Sequence, residues 1–379
     1  MPIAFTEEQE LFRRSVAAFV AKELLPIADS IDASCEIPPA LFPRMGELGF
    51  YGVKYPEEYG GSSGDTTMLC ILCEELARGS ASVSMGAGGQ ALMNTYCLYH
   101  YGTEEQKRRI LMPAIAGLKI GAWSLTEPNT GSDISGIQTV AHRTPGGYRL
   151  AGRKTWITTG VAPDYVVVAA KTDRTKRAEG LSLFLVEKET PGFSVARRIE
   201  TLGVRASHTM ELVLDDCELP EDHLLGGEGN GMEYIRLVMA EARLITGGIA
   251  LGIARAALDA SIAYSHERQQ FGQPIAKFQA IKFRLADMAT DLEAARYMVY
   301  GAAKLSDQGL PCVKDAAMAK LFASEAVMRI TDSAARIYAS YGFAMEYPIQ
   351  RYLRDARVTI IGGGTSEIMR HVIGKEMGL

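Results

Sequence analysis

Apolar residues recur at helical spacing from Thr6 to about residue 117, as in Leu11, Val16, Phe19 and Val20 and again in Met68, Ile71, Leu72 and Leu76. Thr6 followed three residues later by Gln9 predicts a capping-box start, and Pro26 and the Pro38-Pro39 pair punctuate the helices that follow. Between residues 119 and 226 the period changes. Short β-rich runs stand at 148–150, 155–158, 165–169, 181–186 and 210–214, bounded by Pro145-Gly146-Gly147, Pro163-Asp164 and Pro191-Gly192 as hairpin connections require. A Gly-rich stretch at 227–231 then opens Ala-rich periodic segments at 232–266, 278–306 and 313–341, with a short last one at 368–377. The predicted fold class is α+β and mainly α: a helical domain over 1–118, a β-domain over 119–228 and a C-terminal four-helix bundle over 229–379.

Composition narrows the function. With 379 residues, 47% of them hydrophobic, the chain can bury two or three packed layers. The net charge is −5 and basic residues alternate with acids, which argues against a nucleic-acid partner. No apolar run approaches about 20 residues without a charge, so no membrane span is expected. The acidic start lacks an export or organelle signal, and a cytoplasmic location is the expectation. Six cysteines sit in apolar segments, as free thiols in a reducing compartment do. Cys70 and Cys73 form a C-x-x-C, but inside a helical run and without the second half of a zinc site, so they read as core packing and no metal is expected.

Three motifs carry chemistry. Gly131 and Ser132, in the string Thr126-Glu127-Pro128-Asn129-Thr130-Gly131-Ser132, expose backbone N–H groups and hydroxyls in a turn ahead of the sheet. Arg268-Gln269-Gln270-Phe271-Gly272 falls at a break between two long helices, and Gly363-Gly364-Thr365-Ser366-Glu367 precedes the last one. With Lys154-Thr155-Trp156-Ile157-Thr158, these strings resemble the acyl-CoA dehydrogenase family over essentially the whole chain. The resemblance implies FAD as cofactor, with Trp123, Leu125, Thr126, Gly131, Ser132, Trp156 and Thr158 around the isoalloxazine and the Thr126 and Thr158 hydroxyls donating to it. It places Arg268 of a neighbouring subunit on the FAD pyrophosphate, with Phe271, Ile275, Phe278 and Gln279 along the dinucleotide. Thr365 and Glu367 fall on the flavin side, and Ser132 and Arg243 on the substrate. An acyl-CoA thioester, an electron-transfer flavoprotein and further copies of the chain, four in the expected tetramer, are the implied partners. One departure concerns the family's Q-x-x-G-G, which here reads Arg336-Ile337-Tyr338-Ala339-Ser340. Arg336 is either an added phosphate contact or a solvated helix residue.

The second departure concerns catalysis. The family removes an α-proton with a carboxylate while a β-hydride passes to the flavin, and most members carry that Glu where this chain has Gly363, preceded by Gly362. Other members carry it immediately before the Arg corresponding to Arg243, where this chain has Ala242. Glu241 is a candidate substitute one residue earlier, about 100° around the helix, with an exposed helix-face Glu as the plainer reading. Gly363 retains the N–H that in the family binds the thioester oxygen. Gly362 and Gly363, with Gly86, Gly88 and Gly89, are consistent either with a wide acyl pocket or with close helix packing. The expected activity is α,β-dehydrogenation, or the reverse enoyl reduction, of a bulky, branched or cyclic acyl thioester. A base-independent flavin lyase or desulfinase and a non-catalytic acyl-CoA-binding homologue are the alternatives.

Overall fold

A computed structural model describes residues 3–379. Its principal N-terminal helices are α1 (Glu7–Phe19), α2 (Thr66–Gly79) and α3 (Ala81–Gly88). The Thr6 hydroxyl accepts from Gln9 N–H and the Gln9 side chain accepts from Thr6 N–H, so the expected capping box starts α1. The middle region is a mostly antiparallel sheet of β1 (Gly121–Ser124), β2 (Val140–Thr144), β3 (Gly147–Thr158), β4 (Tyr165–Lys171), β5 (Leu181–Glu187), β6 (Phe193–Arg198) and β7 (Thr209–Pro220), closed by Leu224–Leu225. Along the sheet the order is β6-β7-β3-β2-β4-β5, and β1 pairs parallel with β4. Both faces of β4 are buried, one against the helices around Leu98, Ile110 and Val238 and the other against Leu150, Phe184 and Leu212. That explains why its sequence is an unbroken apolar run.

The C-terminal region contains α4 (Gly231–Glu267), α5 (Gln279–Asp307), α6 (Val313–Tyr338), α7 (Ile349–Thr359) and α8 (Ser366–Glu376). One apolar core runs from α1 and α2 through α4, α5 and α6. A buried acid pair locks the N-terminal lobe to this bundle: Glu74 accepts from Tyr300 at 2.6 Å, and Glu75 pairs with Arg255 at 2.7 Å. By length and composition α4 is apolar enough to cross a membrane, but 67% of its most apolar window is buried inside the protein.

All six cysteines are free thiols. Cys70 and Cys73 are fully buried on α2, and burial pushes the Cys73 thiol up to about 12. The sequence pattern passed over β2, β6 and α7. β6 is largely exposed and has no alternating apolar face, and α7 is short and rich in charge, with only Ile349, Tyr352 and Ala356 as buried apolar residues on its inner face.

Candidate active site

A buried ion pair shapes the turn ahead of the sheet. Lys154 Nζ, with no exposed side-chain surface, donates to Glu127 Oε1 at 2.8 Å and to the Leu125 carbonyl at 3.0 Å. Glu127 also accepts from Gln138 N–H at 2.6 Å and from Thr139 N–H and hydroxyl at 2.9 and 2.6 Å. Burial pushes the Lys154 ammonium down to about 8; it also pushes the Glu127 carboxyl up, but Lys154 and the three hydrogen bonds outweigh it and hold the carboxyl low. The string from Leu125 to Thr130 is thereby fixed, and Thr155 N–H adds a 2.9 Å bond to the Thr126 carbonyl.

Around this turn the residues fit a flat, hydrogen-bonding ring. Gly131 and Ser132 are exposed, and a Cβ on Gly131 would meet nothing within 4 Å. Trp123 Nε1 and Ser124 Oγ are buried without a protein partner. Trp156 stands in a bulge of β3, at φ 60, with 59% of its surface exposed. A large aromatic held in the left-handed region and presented outward is a strained arrangement of the kind found at ligand sites. Thr158 lies two residues on, its hydroxyl 3.1 Å from that of Thr209.

A second set of candidate residues gathers elsewhere. Arg268, Phe271, Ile275 and Phe278 line a groove of about 630 Å³ with Tyr338, Ala339, Ser340 and Tyr341, and no β-domain residue contributes to it. Gly272, at φ 76, turns a two-residue hairpin that lifts Phe271 to 92% exposure. The Arg268 guanidinium stacks 5.4 Å over the Tyr341 ring, with no carboxylate paired to it among the described residues. Gln279 opens α5 beside the groove, whose wall is formed there by Ala280 and Ile281. Ala339 takes φ 52, a conformation that costs a glycine nothing, where the resembling sequences carry one. Arg336 is exposed and pairs with Asp332 at 2.7 Å, as a solvated helix residue does within this subunit.

The third set surrounds the α7–α8 loop. Gly363 has φ 69, and its N–H donates to no acceptor among the described residues. A Cβ there would lie 2.9 Å from Thr246 Oγ1 and 3.8 Å from the Ala242 carbonyl, so the loop rests on the Ala242–Thr246 stretch of α4. Thr365 caps α8, its hydroxyl accepting from Ile368 N–H at 3.3 Å, and Glu367 is exposed in the first turn. Arg243 Nε is buried without a partner. Lys320, fully buried on α6, donates to the Gly364 carbonyl at 2.6 Å. Lys320 was not among the sequence candidates. A lone lysine inside the apolar run from Ala316 to Ala323 was the available signal.

Glu241 does not serve this loop. It lies about 140° around α4 from Thr246. Its carboxylate is held by Lys54 Nζ, which also donates to Thr66 at 3.0 Å. Neither an exposed helix-face residue nor a proton acceptor facing Gly363, it is a part-buried structural ion pair. Glu241→Gln is expected to change the rate of flavin reduction by less than about threefold, a rapid-mixing measurement that a catalytic base would fail by about 10²-fold. The wide-pocket reading of Gly86 and Gly88 also yields to close packing. Their added Cβ atoms would sit 3.2 Å from the Thr159 carbonyl and 2.9 Å from Ile245 Cγ2, while Gly89 alone meets nothing nearer than 3.6 Å.

Family models for the N-terminal, middle and C-terminal domains of acyl-CoA dehydrogenases match residues 6–118, 122–217 and 229–378. The chain is 47% identical to benzylmalonyl-CoA dehydrogenase of Aromatoleum aromaticum, with 100% of both chains covered. It superposes on the butyryl-CoA dehydrogenase structure of Megasphaera elsdenii with a TM-score of 0.95 at 39% identity, again over 100% of each chain. PigA solved with FAD and proline gives a TM-score of 0.96 at 29% identity over 100% of each chain.

Proposed function

The chain belongs to the acyl-CoA dehydrogenase family of FAD-dependent oxidoreductases, and from that premise we propose that it dehydrogenates a bulky 2-carboxyacyl-CoA of the benzylmalonyl type, with loss of CO2 in place of α-proton removal. The observation that carries this reading is the vacant carboxylate position: Gly363 rests against Thr246 and the Ala242 carbonyl, neither Gly363 nor Ala242 carries an acid, and Glu241 is held by Lys54. An α-carboxylate on the substrate removes the need for a base. As the bond from the α-carbon to the carboxylate breaks, CO2 departs and the bonding pair becomes the α,β double bond while hydride leaves the β-carbon. The name of the 47% identical relative points to a substrate with a carboxylate at that carbon.

Trp123, Thr126, Ser132 and Trp156 would hold FAD, which when bound would supply the hydride acceptor. The protein's own part is placement and charge. Gly363 N–H, free of protein acceptors, donates to the thioester oxygen where negative charge develops. The Lys154–Glu127 pair holds the turn that carries Thr126 and Ser132.

The Arg268 groove would hold the pyrophosphate of FAD belonging to a neighbouring copy in a tetramer, and an electron-transfer flavoprotein would receive the electrons. Arg268→Ala is expected to lower FAD content and shift the protein toward smaller species together, read from the absorbance ratio of flavin to protein and from size-exclusion chromatography. Full FAD with an unchanged oligomer would remove this role. The reaction itself is tested with two thioesters that differ only in the carboxylate, benzylmalonyl-CoA and 3-phenylpropionyl-CoA, and an artificial electron acceptor. The carboxylated substrate should give a kcat/KM higher by about 10²-fold or more, the usual contribution of a proton-transfer step that the other substrate lacks. Equal values, or a preference for 3-phenylpropionyl-CoA, would contradict the reading.

A further inference from the structure

Two cations lie beside the Gly363 loop without an acid to neutralise them. Lys320 has no exposed surface, and its ammonium is committed only to the Gly364 carbonyl. Arg243 follows Ala242 on α4 and lies about 60° around the helix from Thr246, the residue against which Gly363 rests. Its Nε is buried and unpartnered, and no carboxylate approaches either cation within 4 Å among the described residues. The nearest acids act at longer range: Glu376 on Arg243, and Glu325 and Glu367 on Lys320. Glu325 is itself taken by Ser366 at 2.8 Å and Arg370 at 3.8 Å, and Glu367 is exposed beside Arg370. Burial pushes the Lys320 ammonium down to about 8, and repulsion from Arg243 adds to it.

Burying like charges together without a counter-ion is costly, and structures retain such an arrangement where a ligand supplies the missing charge. We infer that Arg243 and Lys320 form the subsite that binds and orients the carboxylate on the α-carbon of the substrate. This rests on the 2-carboxyacyl-CoA reading above and adds the residues that would hold the carboxylate in a site where the family's own acid is missing. The planar guanidinium offers a paired set of donors matched to a carboxylate, and the ammonium retains donors beyond the one given to Gly364. Thioester oxygen and carboxylate are thereby held by different groups, the first by Gly363 N–H and the second by the two cations.

A cation stabilises the bound carboxylate but not the departing CO2, so the pair acts in binding more than in bond cleavage. The same cations are suited to a phosphate of CoA, and the test separates the two anions. Arg243→Gln and Lys320→Met are each expected to raise KM for benzylmalonyl-CoA by about 10- to 100-fold, the range of a lost charge-assisted hydrogen bond, with kcat falling by no more than about threefold. Inhibition by free CoA should stay within about threefold of the unmutated protein. Arg243→Lys, which keeps charge and loses the fork, should fall between. FAD content and oligomeric state confirm that each variant is folded. Independently of any variant, the dependence of the flavin-bleaching rate on substrate concentration in rapid mixing should give the unmutated protein an apparent Kd for benzylmalonyl-CoA at least about 10-fold lower than for 3-phenylpropionyl-CoA. An unchanged KM in folded variants, or a parallel weakening of free CoA, overturns the cation assignment while leaving the reaction intact. Unmutated protein that neither binds nor turns over the carboxylated thioester in preference overturns both.

Discussion

Gly363→Glu is expected to convert the substrate preference, lowering turnover of benzylmalonyl-CoA by about 10²- to 10³-fold while raising that of 3-phenylpropionyl-CoA. The loss has an electrostatic origin. A carboxylate at position 363 and one on the α-carbon about 4 Å away repel by about 4 kcal/mol at an effective dielectric of 20. The gain follows because the new carboxylate takes the α-proton that 3-phenylpropionyl-CoA must lose. Position 363 has φ 69 and an added Cβ lies 2.9 Å from Thr246 Oγ1, so part of any loss is strain, about 1–2 kcal/mol for a left-handed L-residue. Gly363→Ala measures that strain without the charge, and Thr246→Ala beside Gly363→Glu relieves the contact. Steady-state assays on both thioesters, normalised to bound flavin, read the result. Parallel loss on both substrates beyond that of Gly363→Ala would show that the loop does not face the α-carbon.

Lys154→Met should destabilise the protein by about 3–5 kcal/mol, because it leaves the Glu127 carboxylate buried without its counter-ion. The effect is local in origin: Glu127 accepts from Gln138 and Thr139, and Lys154 donates to the Leu125 carbonyl, so the turn from Leu125 to Thr130 loses its anchor. FAD content should fall with stability. Adding Glu127→Gln to Lys154→Met removes the stranded charge while keeping an acceptor for Thr139, and is expected to recover part of the loss. Thermal unfolding with and without added FAD measures both effects. A Lys154→Met protein as stable and as yellow as the parent would contradict the account of how this turn is held.

Much of this was visible in the sequence where the signal is local. The Thr6–Gln9 box needs only a three-residue spacing, the apolar period of α4 spans ten turns, and the unbroken run of β4 follows from burial on both faces. The candidate flavin residues were named through the resemblance that the short strings at 123–132 and 154–158 carry. What escaped depended on distant partners. Glu241 is one residue from a position of interest, yet its direction was decided by Lys54, 187 residues away. Lys154 and Glu127 were both within the motifs, but their being a buried pair needed the bulged pairing of β3 with β7 and the fold of the turn. The Gly86 and Gly88 positions were ambiguous for a related reason: small residues serve cavities and close helix contacts alike, and only the neighbouring Thr159 and Ile245 decide between them.

Loss of the substrate carboxylate in place of the α-proton is most directly tested by single turnover under anaerobic conditions. FAD-loaded protein is mixed with benzylmalonyl-CoA carrying ¹³C in its free carboxylate and, in a parallel sample, deuterium at the α-carbon. One labelled CO2 should be released for each flavin reduced, at the rate of flavin bleaching, with the α-deuterium retained in the product and no primary isotope effect from it. Flavin reduction that leaves the labelled carboxylate on the product, or that washes the deuterium out with a primary isotope effect, would mean that a base removes the α-proton after all.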